Sequence, residues 1–171
     1  MPDRVRFERH GAAGARALSE TVAFVYRDAY ADAITSDDPF ETPDAFIQRF
    51  DNHTSHPALD FVIAYIGDDP VGQIWGFPIA QPTTGDAKPT FGLCEIMVRK
   101  AWTGQGIAHA LHDELLGARS EPQAELFVRP DNTRAYRVYL KWGWRKVGET
   151  RPNLPGAPLF DVLILPLPIN R

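Results

Sequence analysis

Two β-rich runs, Phe61 to Ile66 and Val71 to Ile79, flank the turn-forming cluster Gly67-Asp68-Asp69-Pro70, the signature of a β-hairpin. A third run, Phe91 to Lys100, leads through two glycines into a helical stripe of Ile107, Leu111 and Leu115, and a further strand follows from Ala124 to Val128. A hairpin adds antiparallel neighbours, whereas a strand–helix–strand crossover adds a parallel one. A chain containing both therefore builds a mixed sheet with helices packed on its faces, an α/β fold of the α+β type and not a purely doubly wound one.

The flanking segments fit this frame. Val5 to Glu8 alternates as a short strand, and Gly11 to about Ala33 places Leu18, Val22, Val25 and Ala29 at helical spacing. Thr42 or Asp44 can cap a second helix carrying Phe46, Ile47 and Phe50, and Gln81 to Pro89 is a loop. Asp131 or Asn132 can cap a helix through Trp142 that Gly143 ends, and strands near Arg145 to Glu149 and Leu159 to Leu167 complete the order β-α-α-β-β-β-α-β-α-β-β. At 171 residues, with no repeat and no linker-like run, the chain is expected to form one domain over residues 1–171.

Composition excludes several classes. A net charge of -4 and a pI near 5.7 argue against nucleic-acid binding. No apolar run reaches the roughly 18 residues of a membrane span and the N-terminus lacks a secretory core, so a cytoplasmic protein without a membrane partner is expected. The single cysteine, Cys94, rules out an intramolecular disulfide and a cysteine-based zinc site.

Thr103-Gly104-Gln105-Gly106-Ile107-Ala108 lies between a strand and a helix, where free backbone N–H groups at the positive helix end can bind phosphate. Gly104 and Gly106 let an anion approach the main chain, and Ala108 lets the helix pack closely on the sheet. A glycine-eased turn would read the same way, so this loop alone is a weak signal.

Val98 to Ala108 resembles the acyl-CoA pyrophosphate loop of the GNAT superfamily of N-acetyltransferases, V-x-x-x-x-[RQ]-x-x-G-x-[GA], with Thr103 standing where Arg or Gln is usual. Asn132 to Trp144 is similar to the superfamily's following N-x-x-A-x-x-x-Y-x-x-x-G-[FW] helix, at the expected distance of one helix and one strand. The resemblance is close over about residues 91 to 149 and topological elsewhere. It implies a V-shaped mixed sheet and transfer of an acetyl or short acyl group from acetyl-CoA, the acyl-donor co-substrate, to a primary amine by direct attack in a ternary complex. No metal is implied, and a homodimer is left open. Met97, Val98, Thr103 to Ala108 and Asn132 become the donor-binding set, with Arg99, Lys100, Arg134 or Arg137 available to face phosphates. Two further readings use the same cradle: a non-catalytic or regulatory acyl-CoA-binding domain, and, because of Thr103, an acyltransferase fed by a carrier-protein thioester.

An amine must lose a proton before it attacks a thioester, the oxyanion needs donors, and the thiolate leaves more easily if protonated. Tyr139 sits where the superfamily's general acid sits, although Tyr136 and Tyr139 also read as core residues of an amphipathic helix. Glu95 is the only carboxylate from Phe91 to Val98, and the superfamily often places a base or substrate ligand on this strand; a rim carboxylate in water is the competing reading. Backbone N–H groups near Met97 and Val98 are the expected oxyanion donors.

Other groups carry blander expectations. Cys94 with His109 or His112 could suggest a thiol hydrolase but reads as core, and His109, His112 and Asp113 read as an exposed helix face rather than as metal ligands. Trp75 and Trp102 stand out by position, in the central hairpin and at the mouth of the loop. Residues 27 to 60 hold eight acids, Asp28, Asp32, Asp37, Asp38, Glu41, Asp44, Asp51 and Asp60, against Arg27 and Arg49. The superfamily uses this region for the acceptor, so the run suggests a cationic small molecule of polyamine, amino-sugar or amino-acid type; ordinary capping and solvated faces are the alternative.

Overall fold

A computed structural model describes residues 4–34, 38–83, 85–153 and 155–169. Among these residues seven strands form one sheet: β1 (Val5–His10), β2 (Asp60–Ile66), β3 (Asp69–Ile79), β4 (Thr90–Val98), β5 (Gln123–Val128), β6 (Arg145–Thr150) and β7 (Phe160–Pro166), in the order β1-β2-β3-β4-β5-β7-β6. Every neighbouring pair is antiparallel except β4 and β5, the crossover pair that the strand–helix–strand pattern requires.

Alternation along the strands assigns the two faces. Phe61, Ile63, Trp75 and Met97 point to one side and pack with Val22, Val25, Tyr26, Phe46 and Phe50. These come from α2 (Ser19–Ala29) and α4 (Pro43–Thr54). Val62, Ala64 and Ile74 point the other way, against Ile107, Leu111 and Leu115 of α5 (Ile107–Gly117). α6 (Thr133–Lys141) joins that second layer at its margin and has no fully buried residue, which leaves one of its sides open.

The sequence expected one helix from Gly11 to Ala33. The structure breaks it into α1 (Ala12–Ala17), α2 and α3 (Ala31–Ile34), because Leu18 and Tyr30 leave helical geometry with ψ of 16° and 22°. Leu18 thereby packs beside Val22 and Val25 without the segment having to run straight across the sheet. Thr42 caps α4 by accepting the Ala45 N–H at 3.1 Å, with Pro43 at the first helical position. β4 ends at Val98 and not at Lys100, since Lys100–Trp102 turns into a 3-10 helix.

Two irregularities shape the middle of the sheet. β4 and β5 pair only over Thr90 to Gly92 and Gln123 to Glu125, and then diverge. Against β3, the register of β4 steps from Trp75↔Glu95 to Gly76↔Leu93, so Cys94 is the extra residue of a β-bulge.

Candidate active site

The divergence of β4 from β5 opens a cavity of about 410 Å³, walled by Leu93 to Ile96 on one side and Glu125 to Val128 on the other. Tyr139 and Asn132 close it from α6, and Glu41, Arg49 and His53 from the segment that precedes the sheet's central hairpin. Glu95 and Tyr139, named from sequence, thus line one cavity. Cys94 lines it too.

Glu95 is not a rim carboxylate in water: its side chain is 17% exposed and meets Arg49 Nε at 3.4 Å. Burial pushes its pKa above the usual carboxylate range, and the nearby charge of Glu41 adds to this while Arg49 opposes it. Arg49 is itself held by a 2.8 Å bond to the Phe40 carbonyl and by the Phe40 ring, 4.7 Å from the guanidinium carbon. Burial raises the Tyr139 phenol well above its ordinary value, with the charge of Glu95 as the second cause, so the group stays protonated. Its hydroxyl has no hydrogen-bond partner among the described residues, whereas Tyr136 donates to Asp161 at 2.6 Å and serves the fold.

The backbone along β4 supplies donors. Arg99 N–H donates to the Val71 carbonyl at 2.8 Å, and the alternation of an antiparallel ladder then turns the N–H of Met97 toward β3. The N–H groups of Val98 and Ile96 lie on the opposite edge, which has lost β5. Met97, expected among the donors, is instead buried in the core with its sulfur accepting from Gln73. The sequence did not single out Ile96, although its two-residue spacing from Val98 puts both N–H groups on the same unpaired edge.

The loop before α5 turns at two left-handed glycines. Gly104 and Gly106 take φ of 77° and 83°, values that favour glycine, and a Cβ on Gly104 would meet nothing within 4 Å. Ile107 is the first residue of α5, because these left-handed glycines place the loop outside the helix. Thr103 donates its hydroxyl to Lys100 O at 2.9 Å and is turned onto its own chain. Arg99 and Lys100, expected to face phosphates, are engaged elsewhere: Arg99 with Asp28 and Asp69, Lys100 with Asp32. Arg134 and Arg137 are exposed and form no ion pair among the described residues. Asn132 caps α6 through the Ala135 N–H at 3.4 Å while lining the cavity.

Other expectations are redrawn. His112 is 2% exposed, not on a solvated face; its Nε2 accepts from Trp144 Nε1 at 3.0 Å and its Nδ1 meets Asp113 at 3.0 Å. His109, His112 and Asp113 come within ligand distance of one another, but both His112 nitrogens are already in use. Burial raises the Cys94 thiol far above its ordinary value, which withholds the thiolate a hydrolase needs. The acidic run is dispersed: Asp60 pairs with Arg9 and Arg119, and Asp38 with Arg129, while Asp37 lies outside the described residues. Of its described members only Glu41 lines the cavity. Trp102 is half-buried against the layer of α5 and α6.

Trp75, fully buried, donates its indole N–H to His53 Nδ1 at 3.0 Å, which fixes a neutral imidazole with its proton on Nε2. Burial, with Arg49 adding repulsion, pushes the pKa of His53 down to about 4. The unfolded imidazole takes up a proton below about pH 6.5 that the folded one refuses, so stability falls as pH drops from there toward 4, by about 3 kcal/mol from this group. Denaturant unfolding across that range should show a shallower decline in His53→Gln than in the parent. Equal slopes would mean that His53 is not held neutral.

The sequence matches the model of the Acetyltransferase (GNAT) family over residues 24–144, more than half of the chain. A comparison with curated protein sequences returned no match. Among solved structures, the aminoglycoside N(6′)acetyltransferase of Legionella pneumophila is similar with a TM-score of 0.68 at 18% identity, covering 97% of this chain and 94% of that one. An acetyltransferase from Thermus thermophilus has a TM-score of 0.65 at 19% identity, covering 95% and 97%. PaiA N-acetyltransferase from Thermoplasma acidophilum, solved in complex with coenzyme A, has a TM-score of 0.57 at 13% identity, covering 95% and 99%. At such identities these likenesses show a common fold. Among the described residues no helix is long and apolar enough to cross a membrane.

Proposed function

Because the chain belongs to the GNAT family of acyl-CoA-dependent acetyltransferases, we propose that it moves the acetyl group of acetyl-CoA directly to the primary amine of a small molecule. The observation that carries this reading is the placement of Glu95 and Tyr139 on one cavity at the split of β4 from β5. The donor's phosphates are received by the N–H groups from Gly104 to Ala108, and its thioester lies along the open edge of β4. Glu95 takes a proton from the acceptor, and the freed nitrogen attacks the thioester carbonyl. The N–H groups of Ile96 and Val98 hold the oxyanion. As the C–S bond breaks and the amide forms, the Tyr139 hydroxyl gives its proton to the departing thiolate, and the second proton shed by the nitrogen restores the phenol. To take that proton Glu95 must be ionised; its raised pKa makes it a stronger base once it is so.

The readings kept beside this one are separated by the same experiment. Acetyl-CoA should stabilise the fold by mass action, by about 2.7 kcal/mol at a hundredfold excess over Kd, and so raise the melting temperature. Gly106→Val forces a β-branched residue to a φ of 83° and closes the approach to the main chain, so the shift should vanish. Thiol release should then appear only when a primary amine is added. A thermal shift with no amine-dependent thiol release would identify a binding domain, and no shift at millimolar acetyl-CoA would overturn the donor assignment.

A further inference from the structure

Resting on the transfer reading above, we infer that the acceptor is a compact amine with an aromatic or alkyl body, which lies on Phe40, Phe127 and Phe160 while Glu41 receives its ammonium on the way to Glu95.

Three rings from separate parts of the chain meet at the cavity. The Phe127 and Phe160 centroids are 6.3 Å apart, and those of Phe160 and Phe40 are 6.0 Å apart. Phe127 is 44% exposed and lines the cavity, a costly arrangement for a strand residue unless something apolar covers it. Ile79 and Phe77 continue the wall from β3.

Charge selects the other end of the ligand. Each cation on the cavity is already matched: Arg49 meets Glu95, and Arg129 meets Asp38 and Asp131. Glu125, 2% exposed, spends both carboxylate oxygens on the Thr83 N–H. Glu41, next in the chain to Phe40, has no hydrogen bond or ion pair to its carboxylate among the described residues. Its backbone is fixed by Tyr26, which donates its hydroxyl to the Glu41 carbonyl at 3.1 Å. The cavity thus offers one unmatched carboxylate beside a phenyl wall.

This arrangement disfavours the polyamine and amino-sugar acceptors suggested by the acidic run. A polyamine would have to bury its second ammonium with only ring faces to meet it, a weaker partner than a carboxylate, since the described residues of the cavity wall offer no second free carboxylate, and a sugar would press hydroxyls against the rings without partners. At about 410 Å³, at the small end of ligand pockets and shared with the acyl end of the donor, the space suits a compact body.

The test measures thiol release at saturating acetyl-CoA with 2-phenylethylamine, spermidine and glucosamine as acceptors. Phenylethylamine should exceed each of the others in kcat/KM by about tenfold or more. Phe127→Ser should raise its KM by about tenfold with kcat within about twofold, and Glu41→Gln should raise KM similarly while leaving acetyl-CoA affinity unchanged. The parent comparison stands even if a variant folds poorly, which melting temperature and acetyl-CoA binding report. Preference for spermidine or glucosamine would overturn the inference and leave N-acetyl transfer intact. Failure of all primary amines to release thiol, with acetyl-CoA bound, would overturn both.

Discussion

Glu95→Gln is expected to lower kcat/KM by about 10² to 10⁴, the range supplied by a positioned general base, with acetyl-CoA affinity nearly unchanged. Glutamine keeps the shape and can still accept from Arg49 through its carbonyl oxygen, so the loss isolates proton transfer from packing. The pH profile carries the sign. Burial holds the Glu95 carboxyl above the usual range, so the parent's activity should fall on the acid side at a pH higher than an ordinary carboxylate would give. Since the acceptor amine also titrates, the informative quantity is the parent-to-variant ratio, which should grow as pH rises through the pKa of Glu95 and then level. A ratio independent of pH, or a loss under tenfold, would return Glu95 to a positioning partner of Arg49.

Tyr139→Phe is expected to cut kcat by about 10² while leaving both KM for the donor and thermal stability close to the parent. The phenyl ring retains the edge-on contacts with Trp142 and Trp144, whose centroids lie 6.1 and 6.3 Å away, so the substitution removes only a hydroxyl that bonds to nothing else among the described residues. A donor whose leaving thiol has a lower pKa should narrow the gap between parent and variant, because such a thiolate departs without protonation. Turnover within twofold of the parent would make Tyr139 a packing residue.

What the sequence could express is local. The glycines at 104 and 106, the Asn132 cap and the Gly143 stop each act within a few residues, and the structure finds left-handed φ of 77°, 83° and 102° at these three glycines. The hairpin of β2 and β3 was equally legible, its turn carrying Gly67 at φ 59°. What it could not express depends on partners distant in the chain. The cavity exists because β4 and β5 pair over only three residues, and no periodicity within either strand records where pairing stops. Arg49 meets Glu95 across 46 positions, and His112 looked solvated by helical spacing because the Trp144 that covers it arrives 32 residues later. The acidic run misled for the same reason: composition counts Asp38 and Glu41 alike, but Arg129, 91 residues from Asp38, neutralises only the first. Helix spacing also passed over the break at Leu18, whose partly buried side chain packs against the cluster formed by α2 and α4.

Cys94 provides the sharpest contrast to direct transfer, because it lines the same cavity and could in principle carry the acetyl group between donor and acceptor. Its thiol is held protonated by burial and by the charge of Glu95, which opposes that route. Initial velocities measured while acetyl-CoA and phenylethylamine are varied together, with the intact mass of the chain recorded in the absence of amine, test the two routes directly. Direct attack in a ternary complex requires intersecting double-reciprocal lines, one coenzyme A released per amide formed, and a chain whose mass acetyl-CoA alone does not change. Parallel lines, together with a chain acetylated at Cys94 before any amine is added, would contradict it.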